Sequence, residues 1–237
     1  MRRSARADPW LHRTGGGIEY HQFLSRQLSV ATGFNYQVVS VRPGAFTIDV
    51  EPEDEFGNPV TVSEDGQDTL FTYNFAGLFT NLDDLSFPTS GSRLRFGLDV
   101  SIPVGDADIL FGRFATSLSQ FIPLNLFGFS EGPRTLILGV QTGTIIGDVP
   151  PYEAFSMGGS RSIRGYNGGE VSTSSSFIVT SVEYRFPVAS DLRVLVDFDL
   201  QGTFFFDYGT DFGTADDVIG EPGCGTRINQ EMVLAMV

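Results

Sequence analysis

The residues of this chain best suited to polar chemistry are concentrated in one stretch, residues 155–170, which reads F-S-M-G-G-S-R-S-I-R-G-Y-N-G-G-E. Its five glycines and its lack of a regular apolar period predict a loop rather than a strand or a helix. Arg161 and Arg164 lie in this loop, and a guanidinium presents five donors in a rigid fork that suits carboxylates. The stretch therefore predicts either a charge-assisted anchor on an acidic wall or an ordinary glycine-rich hairpin loop with a solvated arginine.

Two downstream carboxylates are candidates for such a wall. Glu183 lies in S-V-E-Y-R-F-P, and Asp207 lies in T-F-F-F-D-Y-G. In both segments apolar and polar residues alternate, and successive side chains of a strand point to opposite faces. This alternation places Glu183 and Asp207 on the polar faces of their strands, where a folded-back loop could reach them.

The elements that would position these groups are strands. Alternating segments of about ten residues carry Phe and Leu on one face and Gly, Ser, Thr, Asn and Gln on the other. A membrane barrel has this pattern, apolar outside and polar inside, whereas a soluble sandwich buries its apolar face. A lipocalin-like or sandwich fold is the soluble alternative. We predict about eight strands, near residues 16–23, 27–39, 70–80, 93–102, 109–118, 135–146, 177–186 and 202–208.

Composition excludes several classes of protein. The net charge of −14 argues against a nucleic-acid partner, because a phosphate-binding surface must be basic. Much of the acidity lies in residues 49–68, which we expect to be a solvated loop. The single cysteine, Cys224, cannot form an internal disulfide. The chain contains no run of about 18 apolar residues, so no transmembrane helix is predicted. Its basic start lacks the apolar core of a signal peptide.

With G-G-S-R-S-I-R-G-Y, S-V-E-Y-R-F-P and F-F-F-D-Y-G in this order, the chain resembles the C-terminal barrel of BamA-type outer-membrane assembly factors, the bacterial surface antigen domain. The acidic loop and Phe-rich strands are similar to its cyanobacterial and plastid branch. The resemblance implies an all-β, antiparallel, sixteen-stranded transmembrane barrel with a loop folded into its lumen. It also implies that Arg164 of the loop tip binds acidic partners on two strands. The residues matching the loop motif are Gly158, Gly159, Ile163, Arg164, Gly165 and Tyr166, and those matching the partners are Glu183 and Asp207.

Against that family the chain is expected to be incomplete. Residues 1–14 are predicted to be an irregular start, residues 15–213 a partial barrel, and residues 214–237 an irregular tail. About five strands and the periplasmic POTRA repeats of the family are expected to be missing before the first strand, and three strands after the last. Eight strands cannot close around a loop of about thirty residues, since a barrel of that size is filled by its own side chains. An open sheet with bare edges, which aggregates in water, is therefore expected.

The resemblance implies insertion of barrel proteins into the outer membrane or the plastid outer envelope. The implied partners are the lipid bilayer, unfolded barrel-protein clients, POTRA repeats and accessory lipoproteins. The alternatives are a polypeptide-secretion pore of the two-partner type and a non-functional fragment, while a plain diffusion pore leaves the arginine loop unexplained. We expect no enzyme, cofactor or metal, because His12 and His21 lack a metal-ligand spacing or a nucleophile motif. Glu183 and Asp207 could mimic a glycosidase pair, but an arginine between them indicates a structural role.

Overall fold

The computed structural model describes residues 10–44, 46–50, 53, 59–193, 197–212 and 232–233, most of which form antiparallel strands. One nine-stranded sheet has the order β1-β2-β3-β4-β5-β6-β9-β10-β11, and β7 and β8 form a separate hairpin. In chain order the strands are β1 (Trp10–Phe23), β2 (Leu28–Arg42), β3 (Gln67–Leu82), β4 (Gly91–Ser101), β5 (Phe111–Pro123), β6 (Thr135–Gly147), β7 (Phe155–Met157), β8 (Ser172–Ser174), β9 (Ser176–Arg193), β10 (Asp197–Phe212) and β11 (Met232–Val233).

The sheet is open. Among the described residues β1 pairs only with β2, and β10 is joined on its far side only by the two residues of β11. The predicted all-β architecture of about eight long strands in an unclosed sheet is therefore confirmed. The one helical element among the described residues is the 3₁₀ helix Pro151–Glu153, and none of their helices is long and apolar enough to cross a membrane.

The two faces of the sheet differ as the alternation predicts. We call the face that contacts residues 148–175 the inner face, and the opposite one the outer face. Large apolar side chains such as Phe114, Leu138 and Val140 stand half-exposed on the outer face. Aromatic rings also pair across neighbouring strands there, as in the stacking of Phe34 on Phe71 at 5.7 Å between centroids. An apolar outer face of this kind is what contact with lipid requires.

The connections at the two ends of the sheet also differ. At one end β1 and β2 are joined by residues 24–27, β3 and β4 by residues 83–90, and β5 and β6 by residues 124–134. At the other end the connections include residues 43–66 and residues 148–175. We call these the turn end and the loop end. Outer-membrane barrels show the same asymmetry, with short turns on one side of the membrane and long loops on the other.

The inner face is not polar throughout, which alternation alone does not predict. At the loop end a buried apolar cluster forms on the inner face, and Phe155 of the inward loop, residues 148–175, packs into this cluster. The apolar contacts remove the loop from water and hold it on the sheet. The buried members of the cluster are Val39, Leu70, Ile109, Phe111, Ile145, Val149 and Phe155.

Two predicted boundaries need comment. The domain boundary predicted at residue 14 falls inside β1, which begins at Trp10 and whose ladder with β2 runs on to the pair Trp10–Arg42. The residues that the sequence assigns to an irregular start thus continue the pairing. Residues 1–9 lie outside the described residues. So does most of the predicted tail, residues 214–237 with Cys224, apart from the backbone of β11.

Candidate functional site

The inward loop, residues 148–175, is shaped by its own hairpin and by glycines. β7 pairs with β8 in the register Phe155–Ser174 to Met157–Ser172, which narrows the loop before its tip. Gly158 and Gly159 follow with φ angles of +118° and +88°, a region that residues with a Cβ rarely enter. A Cβ on Gly158 would also collide with the carbonyl oxygen of Asn167. The two glycines therefore allow the chain to turn toward the sheet.

Arg164 at the loop tip is bound by four groups of β9 and β10. Its Nε and Nη2 donate to the two carboxylate oxygens of Asp207, each at 2.7 Å. Its Nη1 donates to Oε2 of Glu183 at 2.6 Å, and Nη2 also donates to Oγ of Ser181 at 3.0 Å. The guanidinium carbon lies 3.6 Å from the centre of the Phe205 ring. The backbone N–H of Arg164 donates to Asp207 as well, at 3.1 Å, so the carboxylate fixes both the side chain and the main chain.

Strand register explains why these partners lie together. Asp207 is directly opposite Ser181, and Phe205 is directly opposite Glu183, in the β9–β10 ladder. Opposite residues of an antiparallel pair share a face, with side chains about 5 Å apart. Two neighbouring inner positions on β9 and two on β10 thus form one polar and aromatic platform for a single guanidinium.

The charges of this platform balance. Glu183 receives a second cation, since Nε of Arg185 donates to its Oε1 at 2.6 Å. Two carboxylates therefore face two guanidinium groups. Asp207 is 2% exposed, which makes its bidentate partner essential, because an unpaired buried carboxylate is costly. Hydrogen bonds to Asp207 raise the pKa of Arg164 above its ordinary value, against the opposing effect of burial, so Arg164 stays charged.

The other residues of the predicted motif lie around this contact. Ile163 is buried between Met157 of the loop and Val179 of β9, and Tyr166 packs at the edge of the same cluster. A Cβ on Gly209 of β10 would strike Ile163, so this glycine makes room for the tip. Gly165 has a φ angle of +98° and turns the chain directly after Arg164. All eight motif and partner residues named from the sequence thus lie at the loop tip or on the wall beneath it.

Some contacts of the tip were not identified from the sequence. Ser181 and Phe205 have the same parity as Glu183 and Asp207, and that parity is the signal that could have found them. Arg161, the second cation of the loop, is exposed, and its carbonyl oxygen accepts from Nε2 of Gln141 at 2.9 Å. The two arginines of the loop therefore differ in kind, one bound on the wall and one exposed.

A second attachment, which the sequence did not reveal, lies at the loop base, residues 150–155. The hydroxyl of Tyr152 donates to Oδ2 of Asp68 at 2.6 Å. Asp68 also accepts from the backbone N–H groups of Val62 and Ser63, at 3.0 and 2.8 Å. Glu153 pairs with Arg13 of β1 at 2.8 Å. The base is thereby attached to the β1–β3 side of the sheet, and the tip to the β9–β10 side.

Asp68 corrects one expectation. It closes the acidic run that the sequence assigns to a solvated loop, yet it is 0% exposed. Its neighbour Asp65 is exposed, as expected, while residues 51–52 and 54–58 lie outside the described residues. Asp68 differs from the rest of the run because three donors converge on its carboxylate, and this compensates for the loss of water.

The chemistry of the site is that of attachment. Both carboxylates near the tip are engaged by arginine side chains, and within the described part of the chain no group of three or more His, Cys, Asp or Glu side chains could hold a metal ion. Phe155 at the loop base supports the same interpretation, since the guanidinium of Arg113 lies 4.5 Å from the centre of its ring. The site holds a loop of this chain against its own wall.

Comparison with known proteins gives a consistent picture. A model of the Omp85 superfamily domain matches residues 4–228. The chain is 31% identical, over an alignment 258 positions long, to "Protein TOC75, chloroplastic" of Pisum sativum, covering 96% of this chain and 29% of that protein. It is 28% identical over 211 residues to "Outer envelope protein 39, chloroplastic" of Arabidopsis thaliana, covering 87% of this chain and 51% of that protein.

A solved structure shows the same fold. The crystal structure of BamA from Haemophilus ducreyi lacking POTRA domains 1–3 superposes with a TM-score of 0.65 at 20% identity. The match covers 84% of this chain and 42% of that one. The chain thus spans about a quarter to a half of the length of the proteins that it resembles.

Proposed function

The chain belongs to the Omp85 superfamily, and we propose that it forms part of an outer-membrane β-barrel that moves other proteins into or across that membrane. It belongs in an outer membrane, either the bacterial outer membrane or the plastid outer envelope. Its half-exposed outer face of Phe, Leu and Val suits the lipid bilayer as the first partner. Its clients are unfolded polypeptides, and barrel-type precursors are the class that we propose.

The observation that carries this proposal is the binding of Arg164 on the inner wall. A pore that only lets solutes pass has no need of a loop fixed in its interior by a buried carboxylate. A machine that handles a client strand does need a wall with a defined shape, because strand pairing depends on register and edge geometry. In this proposal the tip braces β9 and β10 while a client strand pairs elsewhere on the barrel.

The competing functions lead to different products. A secretion pore of the two-partner type would release its client on the far side of the membrane instead of leaving it inserted. We propose no enzymatic role, since Glu183 and Asp207 are both occupied by Arg164 and neither is placed to exchange a proton with a substrate. POTRA repeats and accessory lipoproteins remain proposed partners of the whole machine.

The test is a reconstitution. The chain is folded into lipid vesicles, and an unfolded small outer-membrane barrel is added from urea. Its insertion is followed by its faster migration on gels when the sample is left unheated. We expect the chain to speed insertion over empty vesicles, Arg164→Ala to reduce this gain by at least about tenfold, and Arg161→Ala to leave it unchanged. A tenfold change corresponds to about 1.4 kcal/mol, less than the expected cost of an unpaired buried carboxylate.

A second readout separates the alternatives. Externally added protease degrades a client that has stayed outside, spares a client released into the vesicle interior, and trims an inserted client to its membrane part. A fully spared, water-soluble client would favour the secretion pore. Insertion no faster than in empty vesicles, together with no spared client, would overturn both versions of the proposal.

A further inference from the structure

One connection at the turn end is folded onto the outside of the sheet. Residues 124–134, which join β5 to β6, bend over the outer face of β9 and β10, and we call them the outer clip. The ring centre of Phe127 lies 4.9 Å from those of both Tyr184 and Phe186, and 5.7 Å from that of Phe204. The backbone N–H of Phe129 donates to the carbonyl oxygen of Pro187 at 2.9 Å, so main chain and side chains are both attached.

The clip buries side chains that would otherwise face outward. Tyr184 is 8% exposed and Phe186 is 5% exposed, although both lie on the outer face, where Val182 of the same strand is half-exposed. A Cβ on Gly128 would lie 2.6 Å from Nε of Arg134, so the arginine side chain would have to shift. A small aromatic cluster thus lies outside the wall of the sheet, with Tyr184 and Phe186 buried in it.

The clip satisfies much of its own backbone. The hydroxyl of Tyr184 accepts from the N–H groups of Leu126 and Phe127, each at 3.1 Å, and donates to the carbonyl oxygen of Phe127 at 2.8 Å. The guanidinium of Arg134 donates to three clip carbonyl oxygens, those of Phe127, Ser130 and Gly132. Paired backbone groups are what an irregular segment needs if it is to leave water, because lipid cannot supply the missing hydrogen bonds.

The clip nonetheless points apolar side chains away from the protein. Leu126 is 65% exposed and Phe129 is 77% exposed. The ring centre of Phe129 lies 5.9 Å from that of Phe186 on the outer face. The charged residue of the clip next to it, Glu131, is exposed. An aromatic body with a polar end is the combination that prefers the boundary between lipid and water.

We propose that the outer clip is a membrane-interface anchor that lies in the headgroup zone of the leaflet at the turn end. The occupant of this surface is lipid and not a protein partner, because the rings of Phe127 and Phe129 adjoin outer-face rings of β9 and β10 and so extend the apolar outer face. Burial of Phe129 and Leu126 among the lipids fixes the depth of the sheet at this edge. This anchoring role is separate from the handling of clients.

The neighbouring connection, residues 83–90, provides a matched control. It lies at the same end and also exposes an aromatic side chain, Phe87. It is held, however, by the Asp83 carboxylate, which accepts from the N–H groups of Thr89 and Ser90 at 2.9 and 3.0 Å. The hydroxyl of Thr89 also donates to this carboxylate. The hydrogen bonds, chiefly the one from the hydroxyl, keep the pKa of Asp83 well below its usual range, so this turn carries a charge that stays in water.

The experiment uses tryptophan as a depth reporter. The one native tryptophan is removed by Trp10→Phe, and Phe129→Trp, Leu126→Trp, Phe87→Trp or Val140→Trp is then introduced separately. Each variant of the whole chain is folded into phosphatidylcholine vesicles that contain lipids brominated near the headgroup or near the chain end. Val140→Trp, on the outer face, serves as the insertion control. A folding protocol is accepted for all variants only if it gives Val140→Trp protein whose tryptophan is quenched by the deep bromines.

We expect Phe129→Trp and Leu126→Trp to be quenched at least about twofold more by the shallow bromines than by the deep ones, with little quenching by iodide. Phe87→Trp should instead be quenched strongly by iodide and little by either set of brominated lipids. Strong iodide quenching of both clip reporters would overturn the proposal. Equal lipid quenching of Phe87→Trp and Phe129→Trp would also overturn it, since position at the rim, and not the clip, would then decide contact with lipid. Leu126→Trp keeps the test decisive if Phe129→Trp fails to fold.

Discussion

The inward loop is attached to the sheet at its tip and at its base, and the two attachments use different chemistry. At the tip one guanidinium receives two carboxylates, a hydroxyl and an aromatic ring on β9 and β10. At the base a phenol, a partly exposed ion pair and an apolar cluster share the contact with β1–β3 and β5. At the tip the contacts that stabilise the attachment are made by one residue, Arg164, whereas at the base they are divided among several residues. Single substitutions should therefore affect the two ends very differently.

The largest expected effect is that of Arg164→Ala. It leaves Asp207 buried without its partner, which should cost about 3–5 kcal/mol of unfolding free energy. Urea unfolding of the detergent-folded chain measures this cost, and faster trypsin cleavage after Arg161 should report the freed tip. Arg161→Ala is the matched control in the unfolding experiment, and it should change the free energy of unfolding by less than about 0.5 kcal/mol. An Arg164→Ala chain within about 1 kcal/mol of the wild type would contradict a concentrated tip.

Asp68→Ala should have the next largest effect. The substitution removes the acceptor for the Tyr152 hydroxyl and for two backbone N–H groups, and an unsatisfied buried donor costs about 1–3 kcal/mol. We expect a loss of about 2–3 kcal/mol, with trypsin cleavage after Arg161 unchanged because the tip stays bound. Asp65→Ala, in the same acidic run but exposed, is the control. Faster cleavage at the tip in Asp68→Ala would show that the two attachments are coupled.

Alkaline pH should weaken the base without touching the tip. Burial raises the pKa of Tyr152, and its hydrogen bond to Asp68 raises it further. A group whose pKa is higher in the folded state contributes stability that is complete below its unfolded value, about 10 for tyrosine, and is lost as the pH rises above it. Tyr152→Phe should cost about 1–2 kcal/mol at neutral pH and should remove part of the alkaline loss. Identical pH profiles for the two chains would contradict this assignment.

Arg13→Ala should have the smallest effect. The Arg13–Glu153 pair is partly open to solvent, and such pairs contribute less than about 1 kcal/mol. The loss of unfolding free energy caused by Arg13→Ala should be smaller still in 1 M salt, because salt screens exposed charges. Gln37→Ala, which removes a weak contact of the same arginine at 3.4 Å, is a suitable reference. A cost of several kcal/mol for Arg13→Ala would mean that the base is as concentrated as the tip.

The sequence predicts the fold and the tip because both rest on local patterns. Alternation over ten or more residues specifies a strand and its faces, and parity alone places Glu183 and Asp207 on one side. The glycines and arginines of the tip are close together in sequence, so the loop can be recognised before its partners are known. The ends of strands are less well specified by local pattern. In β1, only the ladder with β2 shows that pairing continues to Trp10 and Arg42.

The base and the outer clip escape prediction because their contacts are long-range and have no regular period. Tyr152 and Asp68 lie 84 positions apart, and a carboxylate within an acidic run gives no local sign of burial. In the clip, residues such as Phe127 and Phe129 follow no strand alternation, and only the folded chain shows which face they cover. Apolar residues between two strands do not reveal from their types alone which side of a sheet they will pack on.

The separation of the loop's two attachments has a mechanical consequence. The base is tied to the first strands of the curved sheet and the tip to its last long strands, so the loop is a chord across the arc that the strands form. The length of a chord sets the radius of its arc. Insertion or removal of residues between Met157 and Arg164 would therefore flatten or tighten the large sheet without altering any of its strands. A force that spreads the two edges would act first on the hydrogen bonds of Arg164, so this residue resists the separation of the edges as well as neutralising Asp207.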